Sequence, residues 1–220
     1  MPVKPVFSII IPVYNRPEEL DELLASILIQ EYDEVFDIFV IEDGSSVKSD
    51  LIVEKYRTEL PIHYFEKENT GPGPSRNFGM QKATGNYFII LDSDVILPKH
   101  YLATIAKQLE HKYTDAFGGP DTAHPNFTVL QKAINYSMTS FFTTGGIRGK
   151  KSSIGKFQPR SFNMGLSKKA FDITNGFSEM RAGEDIDLTF RLWNHGLETQ
   201  LIETAFVYHK RRNSISSFFQ

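Results

Sequence analysis

The chain contains the stretch YFIILDSD, residues 87–94, in which five apolar residues are followed by two carboxylates one residue apart. An apolar run of this length between polar residues is typical of a buried strand in a parallel sheet. In open α/β sheets, ligands bind outside the carboxyl ends of such strands. The stretch therefore predicts an α/β fold that presents Asp92 and Asp94 at its ligand-binding edge.

The spacing of Asp92 and Asp94 predicts a metal site. In an extended chain, residues two apart project to the same side. Their oxygen atoms are hard donors that suit Mg²⁺ or Mn²⁺, which proteins often bind through one or two carboxylates together with the phosphates of a ligand. The alternative is that a carboxylate at a strand end caps a turn or a helix.

The composition indicates one globular domain with a substantial core, since the 220 residues are 40% hydrophobic and 23% charged. A net charge of -3 gives no electrostatic reason to expect nucleic acid as a partner. The absence of cysteine excludes disulfides and a catalytic thiol. The N-terminus does not resemble a secretory signal, and no apolar run reaches the roughly 18–20 residues of a membrane span. Residues 127–142 come nearest; a surface helix and an interfacial helix both fit this segment, and we expect the surface helix. These features predict a cytoplasmic location.

Strand and helix patterns alternate along the first half of the chain, which predicts a parallel sheet with right-handed crossovers. The predicted strands are 7–11, 36–41, 62–65 and 87–91, and the predicted helices begin at Pro17, 48, 74 and Pro98. The second half is less regular, with a short strand ending near 117–120, a mobile loop at 143–160, a strand at 161–166, a helix at 184–194 and a last ordered segment at 200–208.

Polar residues follow all four predicted strands of the first half, at 12–15, 42–45, 69–73 and 92–94. Turn chemistry explains each segment separately, but their position after successive strands favours a shared ligand site. Neither a GxxxxGK loop nor a GxGxxG loop follows the first strand. Arg76, near a helix start, and a divalent ion on Asp94 are therefore the candidates for holding a diphosphate.

Five motifs occur in a set order: IPVYN at 11–15, EDGS at 42–45, RNFG at 76–79, DSD at 92–94 and GEDIDLTFRL at 183–192. This ordered set, over about residues 6–209, resembles the family-two inverting glycosyltransferases of the GT-A fold. The resemblance implies a Rossmann-like, mainly parallel sheet flanked by helices. It also implies a single domain over 1–220, with a nucleotide-binding half at about 1–115 and an irregular acceptor-binding half at about 116–220.

On the donor side, the resemblance implies that Pro12, Tyr14 and Asp43 line a nucleobase pocket, where Asp43 accepts a hydrogen bond from the uracil imide. It places Arg76 near the nucleotide and Asp92 beside the ribose or the donor sugar.

On the metal and acceptor sides, the resemblance implies that Asp94 binds Mn²⁺ or Mg²⁺, and His209 matches a second ligand of several relatives. A solvated histidine in a basic segment is the other interpretation of His209. Asp185 matches the catalytic base, whereas Glu184 and Asn163 match positions on the acceptor side.

The implied reaction moves a sugar from a nucleotide-sugar, with UDP as the expected nucleotide, to a hydroxyl of a carbohydrate or lipid-linked acceptor. Polysaccharide or glycoconjugate synthesis at the inner face of the membrane is the expected setting, and relatives often continue into membrane-associated segments. Residues 188–193 lack the QxxRW motif of processive members, which favours transfer of single sugars. The basic 143–160 segment is a candidate lid, or a contact for an anionic acceptor or a membrane surface.

Three other functions are compatible with these residues. A nucleotidyltransferase also uses an α/β sheet and carboxylate-bound Mg²⁺, but it usually has a Gly-rich loop after the first strand, which is absent here. A glycosidase would use two carboxylates without a nucleotide. A non-catalytic module would bind a sugar nucleotide without transferring the sugar.

Overall fold

A computed structural model of the chain describes residues 4–124, 156–180 and 182–210. Its elements are β1 Phe7–Val13, α1 Pro17–Leu28, β2 Phe36–Asp43, α2 Asp50–Tyr56, β3 Ile62–Lys67, α3 Pro72–Lys82, β4 Tyr87–Leu91, β5 Val95–Ile96, α4 Tyr101–His111, β6 Ala116–Gly118, β7 Asp121–Thr122, β8 Asn163–Ser167, α5 Lys168–Thr174, α6 Glu184–Asn194, β9 Thr199–Leu201 and β10 Val207–His209. The predicted surface helix at 127–142 and most of the predicted loop at 143–160 lie outside the described residues.

The main sheet has the strand order β3-β2-β1-β4-β8-β6-β9 within the described part of the chain. Neighbouring strands from β3 to β4 are parallel, as the alternating sequence pattern predicts. β8 is antiparallel to both of its neighbours, β4 and β6, whereas β9 is parallel to β6. The predicted α/β fold with a mainly parallel sheet is therefore confirmed, with one reversed strand between the two halves.

The apolar strands are buried on both faces, which explains their unbroken hydrophobic runs. Along β1, Ile9 and Ile11 pack with α1 and α4 on one face, while Ile10 packs with α3 and α6 on the other. Gly79 lets α3 approach closely, because a Cβ atom there would lie 2.7 Å from Cγ2 of Ile10. This packing accounts for the glycine of the RNFG motif.

A small second sheet, of order β5-β10-β7, forms beside the main sheet. It was not predicted, since 200–208 suggested one last segment and the chain instead forms β9 and then β10. Antiparallel pairing of β10 with β5 puts His209 opposite Val95, the residue after Asp94. The small sheet therefore joins the end of the described chain to the carboxylate pair.

Several helix boundaries differ from the predictions. α3 begins at Pro72 and not at 74, because both prolines fit the first turn and Gly71 precedes them with a φ of 93°. α4 begins at Tyr101, three residues after Pro98, because His100 has non-helical backbone angles. None of the helices among the described residues is both long and apolar enough to span a bilayer.

Candidate active site

A cleft of about 450 Å³ lies at the carboxyl ends of β1, β2 and β4. It is lined by Pro12, Val13, Tyr14, Arg16, Asp43, Asn69, Gly71, Pro72, Arg76, Asp92, Ser93 and Asp94. These residues come from the ends of β1 and β2, from the loops after β1, β3 and β4, and from α3. The structure thus brings together six residues predicted from sequence, namely Pro12, Tyr14, Asp43, Arg76, Asp92 and Asp94.

One wall of the cleft is built around Asp43, which ends β2 and is almost completely buried. Its carboxylate accepts hydrogen bonds from the backbone N–H groups of Thr70, at 3.0 Å, and Gly71, at 2.9 Å. It also forms an ion pair with Lys67. Burial opposes ionisation, but Lys67 and the Thr70 amide outweigh it and lower the pKa of Asp43. The Lys67 contact was not predicted.

The loop after β1 is held in place by Asn15, which has a φ of 53°. Its side-chain oxygen accepts hydrogen bonds from the backbone N–H groups of Ser46, at 2.8 Å, and Val47, at 2.9 Å. Its own N–H donates to Oγ of Ser45. These hydrogen bonds join the loops after β1 and β2. The neighbouring side chain of Tyr14, which lines the cleft, is about half exposed.

The prediction from residue spacing assumed that Asp92 and Asp94 continue β4 as an extended strand. The structure shows that they do not. β4 ends at Leu91, and the chain turns at Ser93 and Asp94 before β5 begins at Val95. The turn nevertheless brings one oxygen atom of each carboxylate and a ring nitrogen of His209 within 4.8 Å of one another. The predicted proximity is thus present, although a turn creates it.

His209 lies inside this cluster and not in solvent. Its Nε2 is 3.1 Å from Oδ1 of Asp94, its side chain is 13% exposed, and its ring stacks on Phe162. Within the described part of the chain, Oδ1 of Asp94 and Nδ1 of His209 are buried and make no hydrogen bond of good geometry. Two carboxylates and one imidazole nitrogen are a ligand set that fits a divalent cation.

Arg16 also reaches the carboxylate cluster, a contact that the sequence did not reveal. Its guanidinium pairs with Oδ2 of Asp94 in the cleft. Burial raises the pKa of the Asp94 carboxyl, but His209 and Arg16 overcome this effect and lower it to about 2. Asp94 is therefore ionised and already has one cationic partner.

Arg76 was expected near the nucleotide, and it lines the cleft, but its side chain is almost completely buried. Its guanidinium lies 2.7 Å from Oδ1 of Asp92 and 3.1 Å from Oε1 of Glu184. It also lies over the ring of Phe177, 5.2 Å from the centroid. Arg76 thus links the carboxylate turn to the first residue of α6.

Asp185 follows Glu184 at the start of α6 and is 5% exposed. Its Oδ2 lies 3.1 Å from Nε of Arg160 and accepts the N–H of Ser161 at 3.3 Å. A negative charge at a helix N-terminus is electrostatically favourable. Asp185 is not among the residues that line the cleft, but its neighbour Glu184 contacts Arg76, which also contacts Asp92.

Asn163, which was predicted on the acceptor side, lies in the interior. It is the first residue of β8 and is fully buried. Its side chain accepts a hydrogen bond from the Tyr101 hydroxyl, at 2.6 Å, and donates one to the Ala205 carbonyl, at 2.8 Å. These bonds connect β8 to α4 and to the loop before β10, and Asn163 is not among the residues that line the cleft.

The geometry defines a cleft at the carboxyl ends of parallel strands, with three side chains that could hold a metal ion and with Arg76 linking one of them to a carboxylate at a helix start. Residues 8–172 match the family described as Glycosyl transferase family 2. The chain therefore belongs to glycosyl transferase family 2, and it is a glycosyltransferase. Family membership favours this reaction class over the nucleotidyltransferase and glycosidase alternatives.

Two relatives illustrate the similarity. The chain is 33% identical over 150 residues to the poly(ribitol-phosphate) β-N-acetylglucosaminyltransferase TarS of Staphylococcus aureus, covering 60% of this chain and 26% of the relative. It is 27% identical over 247 residues to the chondroitin synthase of Pasteurella multocida, covering 94% of this chain and 25% of the relative. The chain thus spans about a quarter of the length of these proteins.

Solved structures confirm the GT-A fold. Staphylococcus aureus TarS in complex with UDP-GlcNAc superposes with a TM-score of 0.73 at 23% identity, over 95% of this chain and 59% of that chain. The mannosyltransferase PcManGT of Pyrobaculum calidifontis, in complex with GDP-Man and Mn²⁺, gives a TM-score of 0.79 at 17% identity, over 99% and 60%.

Proposed function

We propose that the chain is a metal-dependent, inverting glycosyltransferase that moves a sugar from a UDP-sugar to an acceptor hydroxyl in polysaccharide or glycoconjugate synthesis. The observation that carries the proposal is the cluster of Asp92, Asp94 and His209, with ligand atoms within 4.8 Å, at the end of a cleft lined by Tyr14 and Asp43. The UDP-GlcNAc complex of TarS and the GDP-Man and Mn²⁺ complex of PcManGT support this choice of ligands.

In the proposed site, Pro12, Tyr14 and Asp43 bind the nucleobase. Asp94 and His209 would hold Mn²⁺ or Mg²⁺, and Asp92 would face the ribose or the donor sugar and complete the ligand set. When bound, the cation would supply electrostatic stabilisation of the negative charge on the leaving diphosphate. Oδ1 of Asp94, which is buried and makes no hydrogen bond of good geometry to any described residue, supports a cation at this position.

Asp185 acts as the general base in this proposal. The acceptor oxygen forms a bond to the anomeric carbon as the bond from that carbon to the diphosphate oxygen breaks, and the acceptor proton passes to the carboxylate. Attack from the face opposite the leaving group inverts the anomeric configuration. Such proton transfer typically contributes about 10²–10⁴-fold to the rate. Arg160 and the Ser161 amide orient Oδ2, so the acceptor hydroxyl approaches beside them.

Glu184 helps to hold the start of α6, and with it Asp185, in position. Its carboxylate pairs with Arg76, which also binds Asp92, so one guanidinium spans the donor side and the acceptor side of the proposed site. The acceptor would be a carbohydrate or a lipid-linked saccharide bound by the second half of the domain. A cytoplasmic position against the inner face of a membrane is part of the proposal for a lipid-linked acceptor.

The first experiment is a thermal-shift screen of nucleotides and UDP-sugars with Mn²⁺ or EDTA, followed by a UDP-release assay with saccharide acceptors. We expect stabilisation by UDP and one UDP-sugar in Mn²⁺, loss of both effects in EDTA and in Asp94→Ala, and inversion in the product by NMR.

Asp185→Asn should keep donor affinity and lower turnover by at least about 10²-fold, with a smaller loss in Glu184→Gln. Equal binding in EDTA, or near-normal turnover in Asp185→Asn, would contradict the assignments.

A further inference from the structure

We propose that Lys67 sets the base selectivity of the cleft by fixing Asp43 as an ionised, accept-only group, so that the cleft takes a nucleoside diphosphate whose base presents a ring N–H. Uracil and guanine have such a donor, and cytosine and adenine do not. The inference rests on the proposed function, because it requires a nucleoside diphosphate in this cleft. Lys67 acts through Asp43 and is therefore a positioning residue.

The ammonium group of Lys67 is enclosed where β3 ends. Its side chain is 17% exposed, whereas the side chain of Asp43, its ion-pair partner, is 5% exposed. The same Nζ atom contacts the Glu68 carbonyl at 2.8 Å, Oγ1 of Thr70 at 2.5 Å and Oγ of Ser75 at 3.2 Å. A lysine surrounded by this many acceptors is fixed in one orientation, unlike a lysine on an open surface.

The donors around Asp43 leave its carboxylate little freedom. A carboxylate has about four acceptor positions. On Oδ1 they are used by Lys67 and the Thr70 amide, and on Oδ2 by the Gly71 amide, and the Ser75 hydroxyl also hydrogen-bonds to the carboxylate. All of these partners donate, so a proton on the carboxyl group would have to displace one of them. Asp43 also lines the cleft, where a base that donates a hydrogen bond would meet this carboxylate.

This arrangement discriminates between bases through the direction of a hydrogen bond. The N3–H of uracil or the N1–H of guanine can donate to the ionised carboxylate. The bare ring nitrogen of cytosine would instead bring a lone pair against the carboxylate oxygen, leaving both acceptors unpaired. Sites that depend on one hydrogen bond of this kind reject the wrong partner strongly, because a buried polar group is left unsatisfied.

The test compares the affinities of UDP and CDP, which carry the same diphosphate and pyrimidine frame. Calorimetry in Mn²⁺ would be run on the wild type, Lys67→Gln and Lys67→Arg. We expect the wild type to prefer UDP by about a hundredfold or more. In Lys67→Gln, which keeps a donor but loses the charge, the UDP/CDP ratio should fall at least about tenfold. Lys67→Arg should restore most of the ratio.

Lys48→Gln is the matched control, since Lys48 also pairs with a carboxylate, that of Glu66, but on the exposed surface. It should leave the ratio unchanged. A purely structural role for Lys67 would weaken UDP and CDP equally, and an unchanged ratio in Lys67→Gln would overturn the inference. If Lys67→Gln fails to fold, the ratio in Lys67→Met, checked for folding by circular dichroism, decides the same question. If the wild type binds neither nucleotide, the proposed function itself has failed.

Discussion

Arg76 in α3 and Glu184 in α6 form an ion pair of 3.1 Å across a separation of 108 residues. The same guanidinium lies 2.7 Å from Asp92, and its side chain is 3% exposed. A buried arginine held by two carboxylates makes the position of α6 depend on the turn that carries the metal-ligand cluster. The donor and acceptor sides of the proposed site therefore share one electrostatic contact.

We expect Arg76→Met to destabilise the protein by about 3–5 kcal/mol, because it leaves the carboxylate of Glu184 buried without its partner. Urea unfolding in EDTA would measure the free energy of unfolding for Arg76→Met, Glu184→Gln and the double variant. The double variant should lose less than the sum of the single losses, with a coupling of about 0.5–3 kcal/mol. Additive losses would mean that the contact contributes nothing to stability.

The ion pair between Arg16 and Asp94 should weaken metal binding, because Arg16 competes with the cation for the Asp94 carboxylate. Without nucleotide, Arg16→Gln should raise the affinity for Mn²⁺ by up to about fivefold, as expected for removing a competing, partly exposed pair. Asp94→Asn should abolish measurable binding. Lys210→Gln is the control, because Lys210 pairs with Glu22 and not with the Asp94 side chain. Weaker Mn²⁺ binding by Arg16→Gln would show that Arg16 does not compete with the cation.

Asp94 should also contribute to acid sensitivity. Its pKa of about 2 lies below the value of about 3.9 in unfolded chains. A depressed folded-state pKa stabilises the protein above the unfolded value, and this contribution is lost as the pH falls from about 4 to about 2. The contribution amounts to about 2 kcal/mol.

Urea unfolding in EDTA at pH 6, 4 and 2.5 would check this. The stability difference between the wild type and Asp94→Asn should shrink towards pH 2.5. Asp172→Asn, which alters an exposed carboxylate on α5, should show no comparable trend. A difference that stays constant with pH would contradict the depressed pKa.

The buried contacts of Asn163 predict a structural role. Asn163→Ala should cost about 2–4 kcal/mol in free energy of unfolding, since the Tyr101 hydroxyl and the Ala205 carbonyl lose their partner in the interior. Tyr101→Phe should cost about 1–3 kcal/mol. Below their melting temperatures, both variants should keep the wild-type KM for the acceptor. If Asn163→Ala left the stability unchanged and raised the acceptor KM, the structural role would be wrong and Asn163 would instead contribute to acceptor binding.

The first half of the fold was predictable because β1, β2 and β4 carry long apolar runs and its helices follow proline or capping residues. The contribution of β10 to the site was not predictable, because a strand of three residues with mixed burial shows no clear hydrophobic periodicity. The sequence motifs identified most of the cleft residues, but not the partners that restrain them. In the sequence, Lys67 looks like an ordinary solvent-exposed lysine at the end of a strand, and only the structure reveals its neighbours. The burial of Asn163 likewise depends on contacts from α4 and from the loop before β10.

The place of β8 in the sheet has a consequence for biosynthesis. β4 and β6 both leave the ribosome before β8, yet β8 lies between them. Until β8 arrives, β4 presents an unpaired edge on a strand whose five side chains are all buried in the finished protein. Exposed apolar edges promote aggregation of nascent chains. We therefore expect the two halves to be unable to fold in succession, and a fragment ending at residue 115 to need a chaperone to stay soluble.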